Sequence, residues 1–394
     1  MQISNIIRDI NNLLDDFSFE FPKRQINNFK SFIKGLIGSE SKTINGISNS
    51  LFCHKNQSSI NRFVNGSSKL KNRLKGKILE RALKSVDRRR RTYAIVDNSL
   101  VEKFGKKMFA VVKLYDSTKE KYIRGHDIVT LNMSNGNFST MVDYAIYLKK
   151  EFCKRNNRLF KKKTEMARDM FLSFNKTKIK THALGDSFYG NRTVILPLRK
   201  LGIDYTFRVK SNLIIILNNK EKSKIRLDEY FKNKKKRYRT INGEKCFFAR
   251  AWLNFQTIGW HTVVCFRKED EKEWKYIVSP KKKIKTRTMI KNYSRRQDIE
   301  VFYRDSKQNL GLNKYQLESE EGINMWFTYV GIAHTILAVI KASLKKNHPD
   351  ITIGKLCECF KRNKIINLII EVVKLSKKGF DMGYIIKELK LGIP

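Results

Sequence analysis

The chain has 394 residues, of which 41% are hydrophobic, enough for two or three structural units with a sizeable core. Lysine and arginine number 82 against 37 aspartates and glutamates, so the formal net charge is +45. Few purely metabolic enzymes carry that imbalance, which favours a polyanionic partner, either nucleic acid or an anionic membrane surface.

Motifs that are missing from the sequence exclude further classes. The six cysteines are scattered without the spacing of a disulfide framework, which suits a reducing cytosol. There is no C-x-x-C and no H-E-x-x-H, so we expect no standard zinc site. There is also no P-loop and no G-x-G-x-x-G, which argues against an ATPase or a dinucleotide enzyme.

No membrane partner is predicted. The N-terminus lacks the basic and apolar regions of a signal peptide, so we expect a cytoplasmic protein. One apolar segment, residues 323–340, nearly reaches membrane-spanning length. Because Asn324, Thr328 and His334 interrupt this segment, a buried helix of a large domain is the better interpretation.

Residues 1–90 are predicted to be a helical DNA-binding region. Apolar residues recur there at helical spacing, and two short helices around a break resemble a helix-turn-helix at 42–65. In the second of these helices, Gln57, Asn61 and Arg62 are residue types that contact bases or phosphates. A plain helical hairpin explains the same pattern equally well.

From Tyr93 onward the hydrophobic pattern becomes that of a mixed α/β unit. In chain order we predict strands at 93–96, 108–115 and 122–133, helices at 138–152 and 161–174, a strand at 182–185, a helix at 191–201 and a strand at 205–209. Residues 213–285 are β-rich, and Asn242-Gly243 is a good hairpin signal. Helices are expected at 289–310 and 324–344, and the tail from residue 353 is predicted to be helical.

Two aspartates each follow a short apolar strand. Asp97 comes after 93–96, and Asp186 comes after 182–185. Carboxylates at strand ends are exposed at the rim of a sheet, where two of them can hold Mg²⁺ through oxygen ligands. The alternative for each aspartate is a turn or a helix cap. The neighbouring His126 and Asp127 are interpreted as a surface pair outside this site.

A third acidic residue stands in a basic helical stretch. Tyr293, Arg296, Glu300, Arg304 and Lys307 are three or four residues apart, so on one helix they would fall near one face. One carboxylate among a tyrosine and three cations is a sensible surface for phosphate and metal. The alternative is an exposed helix with salt bridges.

The pattern Tyr-x2-Arg-x3-Glu-x6-Lys, formed by Tyr293, Arg296, Glu300 and Lys307, resembles the Y-R-E-K signature of bacterial DDE transposases of the insertion sequence 4 superfamily. Segments around both aspartates and after the glutamate are also similar to that family. The resemblance covers roughly residues 93–344. The sequence departs from the family pattern at Gln297, where tryptophan is common, and at Asn98-Ser99, where Asp-Thr is common after the first aspartate.

The resemblance implies an RNase H-like catalytic core that is interrupted by a β-rich insertion domain. The implied organisation is a helical DNA-binding region at 1–90, the first part of the core at 91–212, the insertion domain at 213–285, the second part of the core at 286–345 and a helical C-terminal region at 346–394.

The resemblance also implies roles for individual residues. Asp97, Asp186 and Glu300 would ligate two Mg²⁺ or Mn²⁺ ions. Tyr293, Arg296 and Lys307 would grip DNA phosphates near the cut. Arg304, which is not part of the family signature, is a further phosphate-binding candidate because of its place on the same basic helix face. Trp252 and Trp260 are candidates for stacking on a flipped base, although a place in the core of a hairpin is the favoured alternative for both.

The predicted function is that of an insertion-sequence transposase in the prokaryotic cytoplasm, near the nucleoid. It would bind the terminal inverted repeats of its element in double-stranded DNA, and cut and rejoin that DNA, as a homodimer in the synaptic complex. Two alternatives stay open. One is an RNase H-like nuclease without strand transfer, and the other is a domesticated DNA-binding protein that does not cut.

Overall fold

The computed structural model describes residues 5–53, 55–87, 89–116, 119–217 and 221–389. The N-terminal part is helical, as predicted. Its helices are α1 (Ile6–Ser18), α2 (Lys23–Gly38), α3 (Ile44–Ser48), α4 (Gln57–Gly66) and α5 (Lys71–Ser85). Next in the chain come β1 (Thr92–Glu102), β2 (Val112–Asp116), β3 (Lys121–Ser134), β4 (Ser139–Tyr147), α6 (Lys150–Arg155), α7 (Lys163–Asn175), β5 (Thr181–Gly185), α8 (Arg192–Lys200) and β6 (Asp204–Val209).

The second half of the chain begins with strands and ends with helices. Its elements are β7 (Ile214–Ile216), β8 (Lys224–Arg226), α9 (Leu227–Lys232), β9 (Arg237–Ile241), β10 (Glu244–Phe255), β11 (Gly259–Lys268), β12 (Lys275–Ser279), α10 (Thr286–Ser294), α11 (Gln297–Asn309), α12 (Glu320–Leu344), α13 (Ile353–Lys377) and α14 (Met382–Glu388).

The described strands form one mixed sheet in the order β2-β3-β1-β5-β6-β12-β11-β10-β7-β8, with β4 beside β3 and β9 beside β10. The central strands β1, β5 and β6 are parallel, whereas β3 and β12 flank them in the antiparallel direction. Helices cover both faces of the sheet. Successive residues of a strand point to opposite faces, so each strand contributes side chains to both cores. Ile95 of β1 packs with the core that includes α12, and its neighbour Val96 packs with the core that includes α7 and α8.

One predicted helix is wrong. Residues 139–147 form β4, which pairs with β3, and only the last three residues of the predicted 138–152 segment are helical, as the start of α6. The missed signal is Asn135-Gly136 between two apolar runs. Gly136 has φ +89°, and the backbone N–H of Asn135 bonds Phe138 O at 3.0 Å, which closes a hairpin turn.

The strands of the predicted insertion are present, but they do not form a separate sheet. Val278 of β12 pairs with Phe207 of β6, so the β-rich segment continues the central sheet. The predicted hairpin at Asn242-Gly243 is confirmed: it joins β9 to β10, and both residues have positive φ. The division of the chain into domains stays a prediction.

The long apolar helix α12 is a core element. By length and composition it could cross a membrane, but most of its apolar stretch is buried inside the protein. It packs against α2, α4, α5 and α13, and the indole N–H of Trp326 donates to Gly311 O at 2.9 Å. The interpretation of this segment as a buried helix is therefore confirmed.

Lys103 anchors the loop that follows β1. Its Nζ donates to Asn313 O at 2.8 Å and to Tyr315 O, and it lies 3.6 Å from the centre of the Tyr315 ring. Burial, with a smaller effect from the charge of Lys314, lowers the pKa of Lys103 from 10.5 to about 7. A neutral amine still has two protons, enough for both carbonyl groups.

We expect Lys103→Met to flatten the rise of stability with pH between 7 and 10. In that window the unfolded chain holds the Lys103 proton and the folded chain does not, so raising the pH favours the folded state. The contribution is lost as the pH falls through about 7. Urea unfolding of both proteins across this range measures the difference. Lys106→Met, which changes an exposed lysine of the same loop, should keep the wild-type profile, and equal effects would contradict the assignment to Lys103.

Candidate active site

Asp97 and Asp186 lie side by side on the central parallel strands. Ile95 of β1 pairs with Leu184 of β5, and two more residues along the same register bring Asp97 next to Asp186. Asp186 directly follows β5, as predicted. Asp97 does not end its strand, because β1 continues to Glu102 alongside β3. Asp97 stands instead where the pairing of β1 with β5 ends.

Arg296 joins Asp97 to the third predicted carboxylate. Its Nη1 donates to Asp97 Oδ2 at 2.7 Å, and its Nη2 donates to Glu300 Oε1. The side chains of Asp97 and Arg296 are 17% and 21% exposed, whereas that of Glu300 is 51% exposed. The guanidinium therefore acts as a shared counterion between a largely buried and an exposed carboxylate.

We expect one continuous helix for the stretch from Tyr293 to Lys307, and this prediction is wrong. Helix α10 ends at Ser294 and α11 begins at Gln297, with backbone bonds of the i to i+3 type from Arg295 to Asn292 and from Arg296 to Tyr293. This tighter turn breaks the regular helical register. The turn allows Arg296 to reach Asp97 on β1, while Tyr293 packs against Phe266 of β11.

The pKa of Asp97 reflects its burial and the charged groups around it. Burial raises its pKa from 3.8 to about 6, the Arg296 guanidinium lowers it, and the carboxylates of Asp186 and Glu300 raise it again. The three acidic groups thus lie within electrostatic range of one another. Among the described residues, Arg296 is the cation that pairs with Asp97 and Glu300, and no ion pair is formed by Asp186, so ionisation of all three carboxylates leaves two negative charges unpaired.

The other residues predicted to contact phosphate, Tyr293, Arg304 and Lys307, lie in three different environments. Lys307 Nζ donates to Leu100 O of β1 at 3.1 Å, and burial lowers its pKa. Arg304 is exposed and lies 3.8 Å from the carboxylate of Asp305. Tyr293 is half-buried beside Arg296, and burial raises the pKa of its phenol. Arg296 and Tyr293 are therefore at the acidic site, while Lys307 supports β1 about two helical turns beyond Glu300 on the same face of α11.

Several supporting residues were not predicted. The hydroxyl of Tyr303 donates to the backbone carbonyl of Asp97 at 3.1 Å and contacts Thr130 Oγ1 at 2.7 Å. Tyr303 is three residues after Glu300, so helical spacing could have placed it on the same face. It fixes the backbone from which the Asp97 carboxylate projects.

Asp127 belongs to a buried network, so its assignment to the surface is wrong. Its carboxylate accepts from Asn98 Nδ2 at 2.8 Å and pairs with Lys163 at 2.7 Å. The Tyr189 hydroxyl donates to Asn98 Oδ1 at 3.1 Å. His126 is also buried, between Tyr315 and the Phe109 carbonyl. The network connects the residue after Asp97 to the turn after Asp186.

The turn after Asp186 packs tightly on β6. Asp186 Oδ1 accepts the backbone N–H groups of Phe188 at 3.0 Å and Tyr189 at 3.3 Å. A Cβ added to Gly190 would lie 1.9 Å from the carbonyl oxygen of Arg208. Only glycine therefore allows the turn to approach the sheet this closely.

We expect Gly190→Ala to displace this turn, lowering stability by about 1–3 kcal/mol and weakening any activity that depends on Asp186. Thermal unfolding measures the first effect, and an assay of the activity at this site measures the second. Gly76→Ala is the matched control, because a Cβ there meets no atom within 4 Å and lies on helix α5. A stable and fully active Gly190→Ala protein would show that the turn tolerates the shift.

The predicted helix-turn-helix corresponds to α3 and α4, although α3 has only five residues. Asn56 caps α4 by accepting the backbone N–H of Ser59 at 2.8 Å. Gln57, Asn61 and Arg62 are all exposed, and the amide of Asn61 also bonds Asn65. The predicted contact residues are therefore accessible, while Phe63 and Val64 anchor the helix in the core.

Trp252 and Trp260 are not hairpin core residues. They lie diagonally across β10 and β11, and their rings stack with centroids 5.9 Å apart and an interplanar angle of 12°. Trp252 is half-buried and Trp260 is exposed. Alternation along β11 puts Trp260 on the same sheet face as Phe266, which contacts Tyr293. The pair is thus accessible on the face that also carries α10.

The donor chemistry of the site suits a hard divalent cation. Asp97, Asp186 and Glu300 offer only carboxylate oxygens, which are the ligands that Mg²⁺ and Mn²⁺ prefer. Their uncompensated charge also fits such an ion. Within the described residues no three acidic, histidine or cysteine side chains are already gathered as ligands, and Arg296 stands between Asp97 and Glu300. The cysteines Cys357 and Cys359 form no metal site there either.

An α/β fold with one mixed sheet and an acidic site beside its parallel strands is consistent with a DDE nuclease fold. The family model described as DDE superfamily endonuclease matches residues 21–223, just over half of the chain. The model described as Transposase DDE domain matches residues 161–336. The chain therefore belongs to the DDE superfamily endonucleases. No curated protein matches it.

Proposed function

We propose that this protein is an insertion-sequence transposase of the insertion sequence 4 superfamily, which binds terminal inverted repeats and cuts and rejoins DNA. The observation that carries the proposal is the link through Arg296 from Asp97, which is in register with Asp186, to Glu300. The family membership supports a nuclease or transposase activity. The net charge of +45 supports DNA as the substrate.

In this proposal the three carboxylates hold divalent cations, which DDE transposase domains generally use. When bound, the ions supply a Lewis acid that activates the attacking oxygen and offsets charge on the leaving oxygen. Arg296 binds a phosphate beside the cut through its planar fork, and Tyr293 orients that fork. Tyr303 keeps the Asp97 carboxylate in position by holding its backbone.

The proposal also assigns partners to the two ends of the chain. Gln57, Asn61 and Arg62 of α4 would contact the DNA ends, because all three are exposed on one short helix. Beyond Phe360, helix α13 exposes an aliphatic stripe, which supports a homodimer in the synaptic complex; its members are Ile365, Ile366, Ile369, Ile370 and Val373.

The test uses double-stranded DNA that carries the flanks of the protein's own gene. The wild-type chain is incubated with this DNA and Mg²⁺ or Mn²⁺, and end-labelled products are mapped at nucleotide resolution. EDTA and the Asp186→Ala variant are the controls. We expect discrete, metal-dependent cuts at inverted repeats, and joining of the freed 3′-hydroxyl to a target duplex.

Two other outcomes would overturn the proposal in different ways. Cutting without joining to target DNA would identify a nuclease of the same superfamily that lacks strand transfer. Tight binding without any cut, unchanged by Mg²⁺ or Mn²⁺, would identify a DNA-binding protein that has lost catalysis.

A further inference from the structure

The hairpin of β2 and β3 carries two tyrosines and two cations on one face. Tyr115 pairs directly with Tyr122, and Lys113 pairs directly with Arg124, so the four side chains form a two-by-two group that we call the hairpin quartet. All four are exposed, and the tyrosines are 55% and 63% accessible. Residues 117 and 118, which connect the strands, lie outside the described residues and are not part of the quartet.

The quartet is held together by its own side chains. The rings of Tyr115 and Tyr122 are 5.3 Å apart, and Lys113 Nζ lies 4.7 Å from the centre of the Tyr122 ring. On the opposite face of the hairpin, Leu114 and Ile123 are buried. Among the described residues, neither Lys113 nor Arg124 forms an ion pair with a carboxylate. Two like charges directly opposite each other cost stability unless an anion separates them.

The hairpin is connected to the candidate active site. Lys307 of α11 donates to Leu100 O, and two residues further along β1 Glu102 pairs with Lys119 of the hairpin at 3.1 Å. The charges of Asp116 and Lys119 also act on the pKa of Lys307. The hairpin therefore borders the C-terminal half of the helix that carries Glu300.

The quartet also shares a sheet face with Asp97. Asp97 pairs with Thr130 of β3, so their side chains point to the same side. Counting back by twos along β3 from Thr130 leads to Arg124 and Tyr122 on that side. Six to eight residues of strand span roughly 20–27 Å. DNA rises about 3.4 Å per nucleotide of one strand, so this span corresponds to roughly six to eight base pairs.

We propose that the hairpin quartet is an additional phosphate-binding site, which grips the backbone of duplex DNA about six to eight base pairs from the cleaved phosphate. The proposal rests on the proposed function, because it takes Asp97 as the point of cleavage. Lys113 and Arg124 supply positive charge, and the phenol groups of Tyr115 and Tyr122 supply hydrogen-bond donors to phosphate oxygens. The bound phosphates offset the repulsion between the two cations.

The experiment measures the affinity of the full chain, in EDTA, for duplexes that contain the mapped cleavage position. If no cleavage position has been mapped, the duplexes are taken from the flanks of the protein's gene. The duplexes are shortened stepwise from either side. For the longest duplex at about 0.1 M salt, we expect Lys113→Gln with Arg124→Gln to weaken binding about 10-fold and to lower the salt slope by roughly two. Once one side is shorter than about six base pairs, wild type and variant should bind equally.

Two further variants serve as comparisons. Lys121→Gln removes a charge from the same hairpin but from the opposite face, and should weaken binding by less than 2-fold. Tyr115→Phe with Tyr122→Phe keeps the rings and removes the hydroxyls, and we expect about 3-fold weaker binding.

Two results would overturn the proposal. The first is that the double variant Lys113→Gln with Arg124→Gln binds every duplex as tightly as the wild type. Lys113 would then serve only to protect the edge strand β2 from aggregation. The second is an equal loss in Lys121→Gln, which would show a general charge effect. Because binding is measured without metal, a protein that never cuts DNA would contradict the proposed function without affecting this result.

Discussion

Replacing Asp186 with asparagine is expected to reduce DNA cleavage by at least about 1000-fold while leaving the fold and DNA binding intact. Asparagine keeps the oxygen that accepts the N–H groups of Phe188 and Tyr189, so the turn after β5 should be preserved. What disappears is the negative charge beside Asp97, and with it the carboxylate that the proposed function makes a metal ligand. Single-turnover cleavage at saturating Mg²⁺ or Mn²⁺ measures the loss.

The control for this experiment is Asp169→Asn. Asp169 lies on α7, where it pairs with Lys161 and Arg168 at the surface, away from the acidic site. The same loss of one charge there should leave cleavage unchanged. If Asp186→Asn cut DNA within 10-fold of the wild-type rate, Asp186 would not be a metal ligand, and the proposed triad would be wrong.

Arg296→Gln is expected to have two opposite effects. The guanidinium bonds oxygens of Asp97 and Glu300, two of the carboxylates that would hold divalent cations in the proposed function. Removing it removes a competing positive charge, so Mn²⁺ should bind more tightly. Cleavage at saturating metal should nevertheless fall about 100-fold, because in the proposed function Arg296 is a charged contact to the reacting phosphate.

Calorimetric titration of Mn²⁺ without DNA and single-turnover cleavage separate the two effects. Arg295→Gln is the matched control, since the neighbouring guanidinium pairs with Asp298 at 2.6 Å and not with Asp97 or Glu300. It should bind Mn²⁺ like the wild type. Weaker Mn²⁺ binding by Arg296→Gln would mean that the arginine supports the metal site and does not compete with it.

Local signals in the sequence predicted much of the fold correctly. The apolar run at 93–96, the segment at 182–185 and the hairpin at Asn242-Gly243 became strands where expected. These elements have strong local preferences, because β-branched residues favour strands and Asn-Gly favours a tight turn. The long helix α12 was also predictable from a local signal, because its apolar run is too long for a strand.

The segment 138–152 shows where local reasoning failed. Its apolar residues fit a helix as well as a strand, so the spacing alone could not decide. Pairing with β3 decided it, through contacts as distant in the sequence as Asp127 with Tyr147. Pairing of this kind overrides intrinsic preference, and its trace in the sequence was the short turn signal Asn135-Gly136 and not the apolar spacing.

The candidate site shows the same division. The order and spacing of Asp97, Asp186, Glu300 and the Y-R-E-K residues were readable from the sequence and led to the DDE superfamily. The break between α10 and α11 was not readable, because Arg295 and Arg296 are good helix formers. The break allows Arg296 to reach Asp97, and this contact exists only when β1 and α11 meet.

The sequence alone therefore determined the chemical inventory of this protein: its basic charge, its three acidic residues in order, and the local strands and helices around them. The tertiary structure decided which of these groups meet. It joined 213–285 to the central sheet, placed Arg296 between two carboxylates and put the hairpin quartet on the face of Asp97. The physical reason is that charge and local preference are properties of short segments, whereas pairing and burial depend on residues far apart in the chain.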